Sequence, residues 1–222
     1  MTTPRSIPLF PLPLVLFPGV TLPLHIFEPR YRRMLADCLE YDRRFGIVYL
    51  PSGLDEKTIE AGRIGTIGRI DAAVPLSDGR CNIVVSGTER FVFQDFVGSE
   101  APYHIAQITG YGDDAEDSAS LNQAAKRVRD QFGRVSAAAR LLAGDAGEPP
   151  TLPEDPALLA FFIASLIDLE TFARQQLLAL RSPLIRLVRI EALLSAAVEP
   201  LEQRAMVHSS AKQNGHGPRV AQ

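Results

Sequence analysis

Residues 6–27, SIPLFPLPLVLFPGVTLPLHIF, carry no formal charge at neutral pH, and the run begins directly after Arg5. A basic residue followed by a long apolar stretch near the N-terminus has the outline of a secretory leader or a membrane anchor. The prolines decide against both. Pro8, Pro11, Pro13, Pro18 and Pro23 lie inside the stretch, and each interior proline costs a helix roughly 3 kcal/mol. A chain in lipid must also satisfy its own backbone hydrogen bonds, which a proline-cut extended segment cannot do. The run therefore predicts two short extended pieces, residues 14–17 and 20–27, joined at a Pro18-Gly19 turn. Proline is confined to strand starts and edges, so this segment is expected along the rim of a sheet in a cytoplasmic protein with no membrane association.

At 222 residues the chain has length for one large or two small domains and a sizeable core. Its 23 basic and 26 acidic residues leave a net charge of -3, which gives the chain as a whole no attraction for nucleic acid or an acidic membrane. Cys38 and Cys81 are the only cysteines. They form no CxxC pair, and their places in helical and strand patterns predict two small core residues in a reducing compartment.

The hydrophobic period divides the chain. From residue 7 to about 110 it reads as strands: 45–50, 63–74 with glycines at 62, 65 and 68, 80–86, 89–97 and 103–110. Asp78-Gly79 is a hairpin turn signal, and the glycines mark bends or bulges. Short strands at this spacing predict a compact barrel or sandwich. One helix interrupts them, starting at Glu28-Pro29, with Tyr31, Met34, Leu35 and Cys38 on its apolar face and Arg30, Arg33, Asp37 and Glu40 opposite.

After the acidic linker 113–118 the period changes. Leu121, Ala125, Val128, Phe132, Val135, Ala139 and Leu142 alternate by four and three along one long helix. Bundle helices carry the same pattern, so the stripe is expected to pack within the chain; a seam to a second copy, making a homodimer, is the alternative. Further helices are expected at 157–167, 171–180 and 183–198, the last ending before Pro200, with a mobile tail from residue 207.

The sequence lacks GxxxxGK[ST], so no P-loop is expected to wrap a nucleotide phosphate, and it lacks a GxSxG elbow. His25, His104, His208 and His216 have no metal-ligand spacing, and His25 reads as a packed or edge residue. A serine-lysine dyad would have to use Lys57, Lys126 or Lys212, none in a pre-organised setting. No enzymatic activity, metal or cofactor is expected.

Three stretches, in order, carry a resemblance. The opening IPLFPLPLVLFPGVTLPLHIFEPRYRRML resembles the start of the N-terminal, substrate-binding domain of the Lon ATP-dependent proteases. GTIGRI followed by DGRCNIVVSGTERFVF is similar to that family's central hairpin, with Arg90 at its arginine position, and FFIASLIDLETFARQQLLALRSPLIRLVRIEALL is similar to its helical half. The resemblance covers roughly residues 7–200 and implies an α+β fold: a PUA-like β pseudo-barrel with one helix over residues 1–117, a helical bundle over 118–206, and a flexible tail over 207–222. It also implies a stand-alone module without the ATPase and protease parts.

The implied function is recognition of unfolded or client protein without cleavage, with a separate protease as a candidate recipient. A sheet edge or an apolar groove would serve. The proline-rich edge and the helix residues Tyr31, Arg30 and Arg33 are the candidate contacts, set against a solvated helix face with Tyr31 in the core. RNA binding through Arg63, Arg69, Arg80 and Arg90 is the alternative, by analogy with PUA-like folds. A small-molecule site between barrel and bundle is a third reading, with no motif behind it.

Overall fold

The computed structural model describes residues 4–214. Its strands are β1 (Arg5–Leu12), β2 (Thr21–Ile26), β3 (Arg44–Tyr49), β4 (Ile64–Pro75), β5 (Cys81–Val97) and β6 (Ile105–Gly110). Its helices are α1 (Pro29–Glu40), α2 (Ser118–Ala143), α3 (Pro156–Leu166), α4 (Thr171–Leu178) and α5 (Pro183–Asn214), with a 3-10 turn at Glu56–Thr58. The result is a mixed α+β chain. Two compact units emerge: residues up to Ala115 together with Ala164–Ser182, and Glu116–Ile163 together with the chain from Pro183 on.

In the first unit six strands form one sheet in the order β2-β5-β4-β3-β1-β6, and β5 also pairs with β6, so the ladder returns on itself. The first strand is Arg5–Leu12, not the expected residues 14–17. It absorbs two prolines because its partner changes sides. Residues Arg5 to Pro8 pair antiparallel with β6, whereas Leu9 to Leu12 pair parallel with β3. The Leu9 N–H donates to His104 O, so odd residues face β6; Leu12 O accepts from Leu50 N–H, so even residues face β3. Pro8 therefore points its nitrogen to the β3 side before that ladder begins, and Pro11 points to the β6 side after that ladder ends. Neither removes a sheet hydrogen bond.

Residues 80–86 and 89–97, expected as two strands, are one seventeen-residue strand, β5, bending as it changes partners. Gly87 sits at the bend. Its N–H donates to Val20 O, and its carbonyl accepts from Gly19 N–H at 2.9 Å. A side chain there would strike the Phe17 carbonyl. Nearby, the buried Thr66 hydroxyl donates to Leu16 O at 2.6 Å, tying residues 14–17 down without making them a strand.

Helix α1 forms as its spacing dictates: Tyr31, Met34, Leu35 and Cys38 are all buried, packed in one cluster with Phe10, Phe45, Ile47, Ile70 and Val85. Each such side chain contributes roughly 1.5–3 kcal/mol relative to exposure. Both cysteines are free and buried.

Two hydroxyl- or thiol-bearing groups in this cluster give it an alkaline limit. Burial, with the charges of Asp42 and Asp37, pushes the Cys38 thiol up from 9.0 to about 12. Burial, then the hydrogen bond to Asp37, pushes the Tyr103 hydroxyl up from 10.0 to about 12. Both folded values lie above the unfolded ones, so the folded state retains these protons as the unfolded chain loses them. Their contribution to stability is fully present below pH 9.0 and is lost as pH rises to about 12. Urea midpoints should stay flat below that window and fall within it, and Cys38→Ala should remove the earliest part of the fall. A midpoint that rises above pH 9.0 in the wild type would contradict this assignment.

The segment Ala164–Ser182, expected inside the bundle, groups with the strands instead. Arg90 is the reason. Its side chain is 3% exposed and ion-paired with Asp113. It donates to Leu178 O and Leu180 O at 2.6 Å each, with its guanidinium 4.9 Å from the Tyr111 ring centre. The Tyr111 hydroxyl donates to Ala179 O, and the buried Gln175 amide donates to Ile64 O at 2.9 Å. Main-chain carbonyls that α4 leaves open at its end are thus taken by side chains of the sheet.

In the second unit α2 packs on α5. Asp117 caps α2, accepting from Ser120 N–H. Arg127 pairs with Glu191 and Arg134 with Glu202, both at 2.8 Å, so the two helices run parallel. The α2 stripe is consumed inside the chain: Ala125, Val128, Phe132 and Val135 are buried, and Ala138 rather than Ala139 continues it. Arg186 is fully buried with its guanidinium 4.2 Å from the Phe161 ring centre and a bond to Ala157 O. Helix α5 does not stop at Pro200 but continues to Asn214, so residues 207–214, expected as tail, are helical. Residues 215–222 of that expected tail, His216 among them, lie outside the described residues. Among the described residues no helix is long and apolar enough to cross a membrane.

Candidate functional site

Among the described residues strand β2 pairs with β5 alone, which leaves its other edge without a strand partner there. Alternation buries or half-buries Leu22, Leu24 and Ile26 and exposes Thr21, Pro23 and His25. The Gly87 N–H bonds Val20 O, so even residues face β5 and Pro23 directs its nitrogen to the outer edge. A strand added there would meet a position with no donor, so this edge resists main-chain extension. The side chains offer more than the backbone.

Two hollows flank β2 and share Leu24 and His25. One, of about 350 Å³, lies between the end of β1 and the end of β2, with Phe10, Leu12 and Phe27 in its walls. The other, of about 420 Å³, is lined by Ala72, Val74 and Val84 on the outer face of the β4-β5 hairpin. Phe27 is 59% exposed and Val74 58%. His25 stacks on Phe27 at 6.1 Å and bonds Asn82 through Nδ1 at 2.7 Å, which holds the Phe27 ring beside the strand. The volumes are those of side-chain-sized binding hollows.

The first hollow ends at a polar cluster centred on Glu56. Asp55 accepts from Lys57 N–H and shapes the 3-10 turn that presents this carboxylate. Arg30 donates to both Glu56 oxygens, at 3.0 and 2.7 Å, and Arg30 Nε donates to Glu28. The Tyr31 hydroxyl donates to Glu56 at 2.7 Å, and His104 Nε2 lies 3.2 Å from its other oxygen. Burial first, then the bond to Glu56, raises the Tyr31 hydroxyl far above its ordinary value, so it remains a donor. The cluster binds its own members together; nothing in it is aligned as a nucleophile and base.

Of the three expected contact residues, Arg30 stands at this hollow with its charge engaged by Glu56 and Glu28. Tyr31 is 4% exposed, so its ring belongs to the core, not to a contact surface. Arg33 points elsewhere, paired with Asp37 at 3.0 Å. Of the four arginines named for RNA, three are engaged within the chain: Arg90 is buried, Arg69 pairs with Asp71 and Arg80 with Asp78. Sequence reasoning missed Phe27, Val74 and Glu56. Phe27 alone left a signal, as the last apolar residue before the charged helix.

Residues 6–196 match the family described as the ATP-dependent protease La (LON) substrate-binding domain. The chain belongs to that family. Lon protease 2 of Herpetosiphon aurantiacus is 29% identical over 203 residues, covering 90% of this chain and 25% of that protein. Lon protease of Trichlorobacter lovleyi is 24% identical over 214 residues, covering 95% of this chain and 26% of that protein. The Lon-type domain thus spans about a quarter of the length of these relatives. Among solved structures, the Lon N-terminal domain protein from Xanthomonas campestris matches with TM-score 0.59 and 25% identity over 85% of this chain and 98% of that one. The N terminal domain of Mycobacterium avium complex Lon protease shares the fold, with TM-score 0.64 and 16% identity over 86% and 98% of the two chains. In this Lon-type domain Arg90, within β5, anchors the end of α4.

Proposed function

We propose that the chain is a non-catalytic recognition module that binds unfolded or client polypeptides through apolar side chains at the β2 face. The strand unit takes the PUA-like pseudo-barrel form, with a helical bundle beside it in the sequence, and the module works in the cytoplasm alongside a separate protease. The observation that carries the reading is the pair of hollows sharing Leu24 and His25, with Phe27 and Val74 more than half exposed between and beside them. Apolar surface of this kind, rimmed by polar groups, marks interaction sites. Pro23 turns the mode of capture from strand addition to side-chain insertion. The substrate-binding description of the family supports the same reading.

The test is fluorescence anisotropy with a permanently unfolded labelled protein and with single-stranded RNA of mixed sequence. Phe27→Asp with Val74→Asp should weaken binding of the unfolded protein by about tenfold or more, ~1.4 kcal/mol. Both positions are exposed, so thermal midpoints should hardly move. Unchanged affinity in a folded double variant would overturn the site. RNA binding that falls steeply between about 50 and 200 mM salt would overturn the function.

A further inference from the structure

A second cleft, of about 510 Å³, opens in the strand unit where β1 begins. Its lining differs in kind from the β2 face. Three arginines from three separate elements line it, Arg5 from β1, Arg33 from α1 and Arg44 from β3, together with Asp37 and Asp42. Arg5 is paired with Glu89 at 2.9 Å. Arg33 is paired with Asp37, which also accepts from the Tyr103 hydroxyl at 2.8 Å. Asp42 accepts from the Arg44 backbone N–H. The Arg44 guanidinium itself, on a half-buried residue, has no hydrogen-bond or ion-pair partner among the described residues. A partly desolvated cation without a counter-charge is costly, and an incoming carboxylate relieves that cost with charge-assisted hydrogen bonds.

The backbone adds a second element. Along β1 the even residues face the β3 side, yet that ladder begins only at Leu9. Ser6 therefore turns its N–H and C=O to that side at the cleft, while the Pro8 C=O is already engaged in the Leu9–Gly46 pairing. An extended main chain can lie against Ser6 while an acidic side chain or terminal carboxylate reaches Arg44.

We propose that this cleft binds an acidic segment of an extended polypeptide, with Arg44 as the residue that selects for the carboxylate. The proposal rests on the reading of the chain as a polypeptide-recognition module but places acidic selectivity at a site other than the β2 face.

The test uses the full chain, a labelled octapeptide of alternating Asp, Glu and Ala, and its Asn/Gln counterpart, read by anisotropy. The acidic peptide should bind at least about tenfold tighter than the amide peptide, and Arg44→Gln, which keeps the stem and removes the charge, should abolish that difference. Arg44→Lys should retain part of it, because a point charge replaces the planar fork. Phe27→Asp should leave it unchanged. Equal affinity for the two peptides, or full selectivity in a folded Arg44→Gln variant, overturns the proposal; so does selectivity lost in Phe27→Asp and kept in Arg44→Gln. If the unfolded protein fails to bind while the acidic peptide binds in an Arg44-dependent way, the β2-face reading fails and this one stands. Arg44-dependent binding of single-stranded RNA with no peptide binding overturns both.

Discussion

Arg90→Met is expected to lower the unfolding free energy by about 3 kcal/mol, at the low end of the 3–5 kcal/mol range for breaking a buried ion pair. Three acceptors lose their donor at once: Leu178 O, Leu180 O and the Asp113 carboxylate. The carbonyls set most of the cost, since methionine fills much of the volume but donates nothing. Asp113 is 30% exposed and recovers water, which keeps the loss at the low end. Arg90→Lys should recover only part, because one ammonium cannot span two carbonyls and a carboxylate in the planar arrangement a guanidinium allows. Urea midpoints at constant slope measure the loss, and limited proteolysis locates it. Cleavage should appear first within Ala164–Ser182, the segment Arg90 holds. A variant with wild-type midpoint and no new cleavage would show that Tyr111 and Gln175 suffice as anchors.

That segment also marks where the sequence stops being readable. Helix α4 was legible as a helix, since its local spacing is helical, but its allegiance is set by Arg90, Tyr111 and Gln175, contacts across 68 to 111 residues of chain. No local period reports such a bond. The apolar face of α1, the bend at Gly87 and the α2 stripe were legible because each follows from the period or the turn chemistry of adjacent residues. Pro200 misled for a different reason. One internal proline costs a helix roughly 3 kcal/mol, but Val198 and Ala205 are buried on either side of it, and that packing sustains the helix through the break. At the candidate site the same division holds. Tyr31 reads equally as core or contact until Glu56 is seen to take its hydroxyl, and Glu56 comes from a loop with no periodic signal. Phe27 and Val74 join one face only through the pairing of β2 and β4 on either side of β5.

Gly65→Ala is the second large effect, expected to cost about 3 kcal/mol, the upper part of the range for overpacking a core. A Cβ at Gly65 would overlap the tip of the Phe91 ring and stand 2.6 Å from the Ile47 carbonyl oxygen. The ring has little room to yield: Phe91 is fully buried, and a Cβ at neighbouring Gly46 would already lie 3.0 Å from the same ring. The carbonyl is worse, because Ile47 lies in the β3-β4 ladder opposite Thr66 and moves only if that pairing loosens. Gly98→Ala is the control, with nothing within 4 Å of the added carbon, and should be neutral or slightly stabilising. Phe91→Leu added to Gly65→Ala separates the two clashes. If the ring dominates, the pair should lose less than the sum of the single variants, by about 1 kcal/mol. If the Ile47 carbonyl dominates, the losses add, and the cause is the close approach of β3 and β4 rather than the aromatic packed between them.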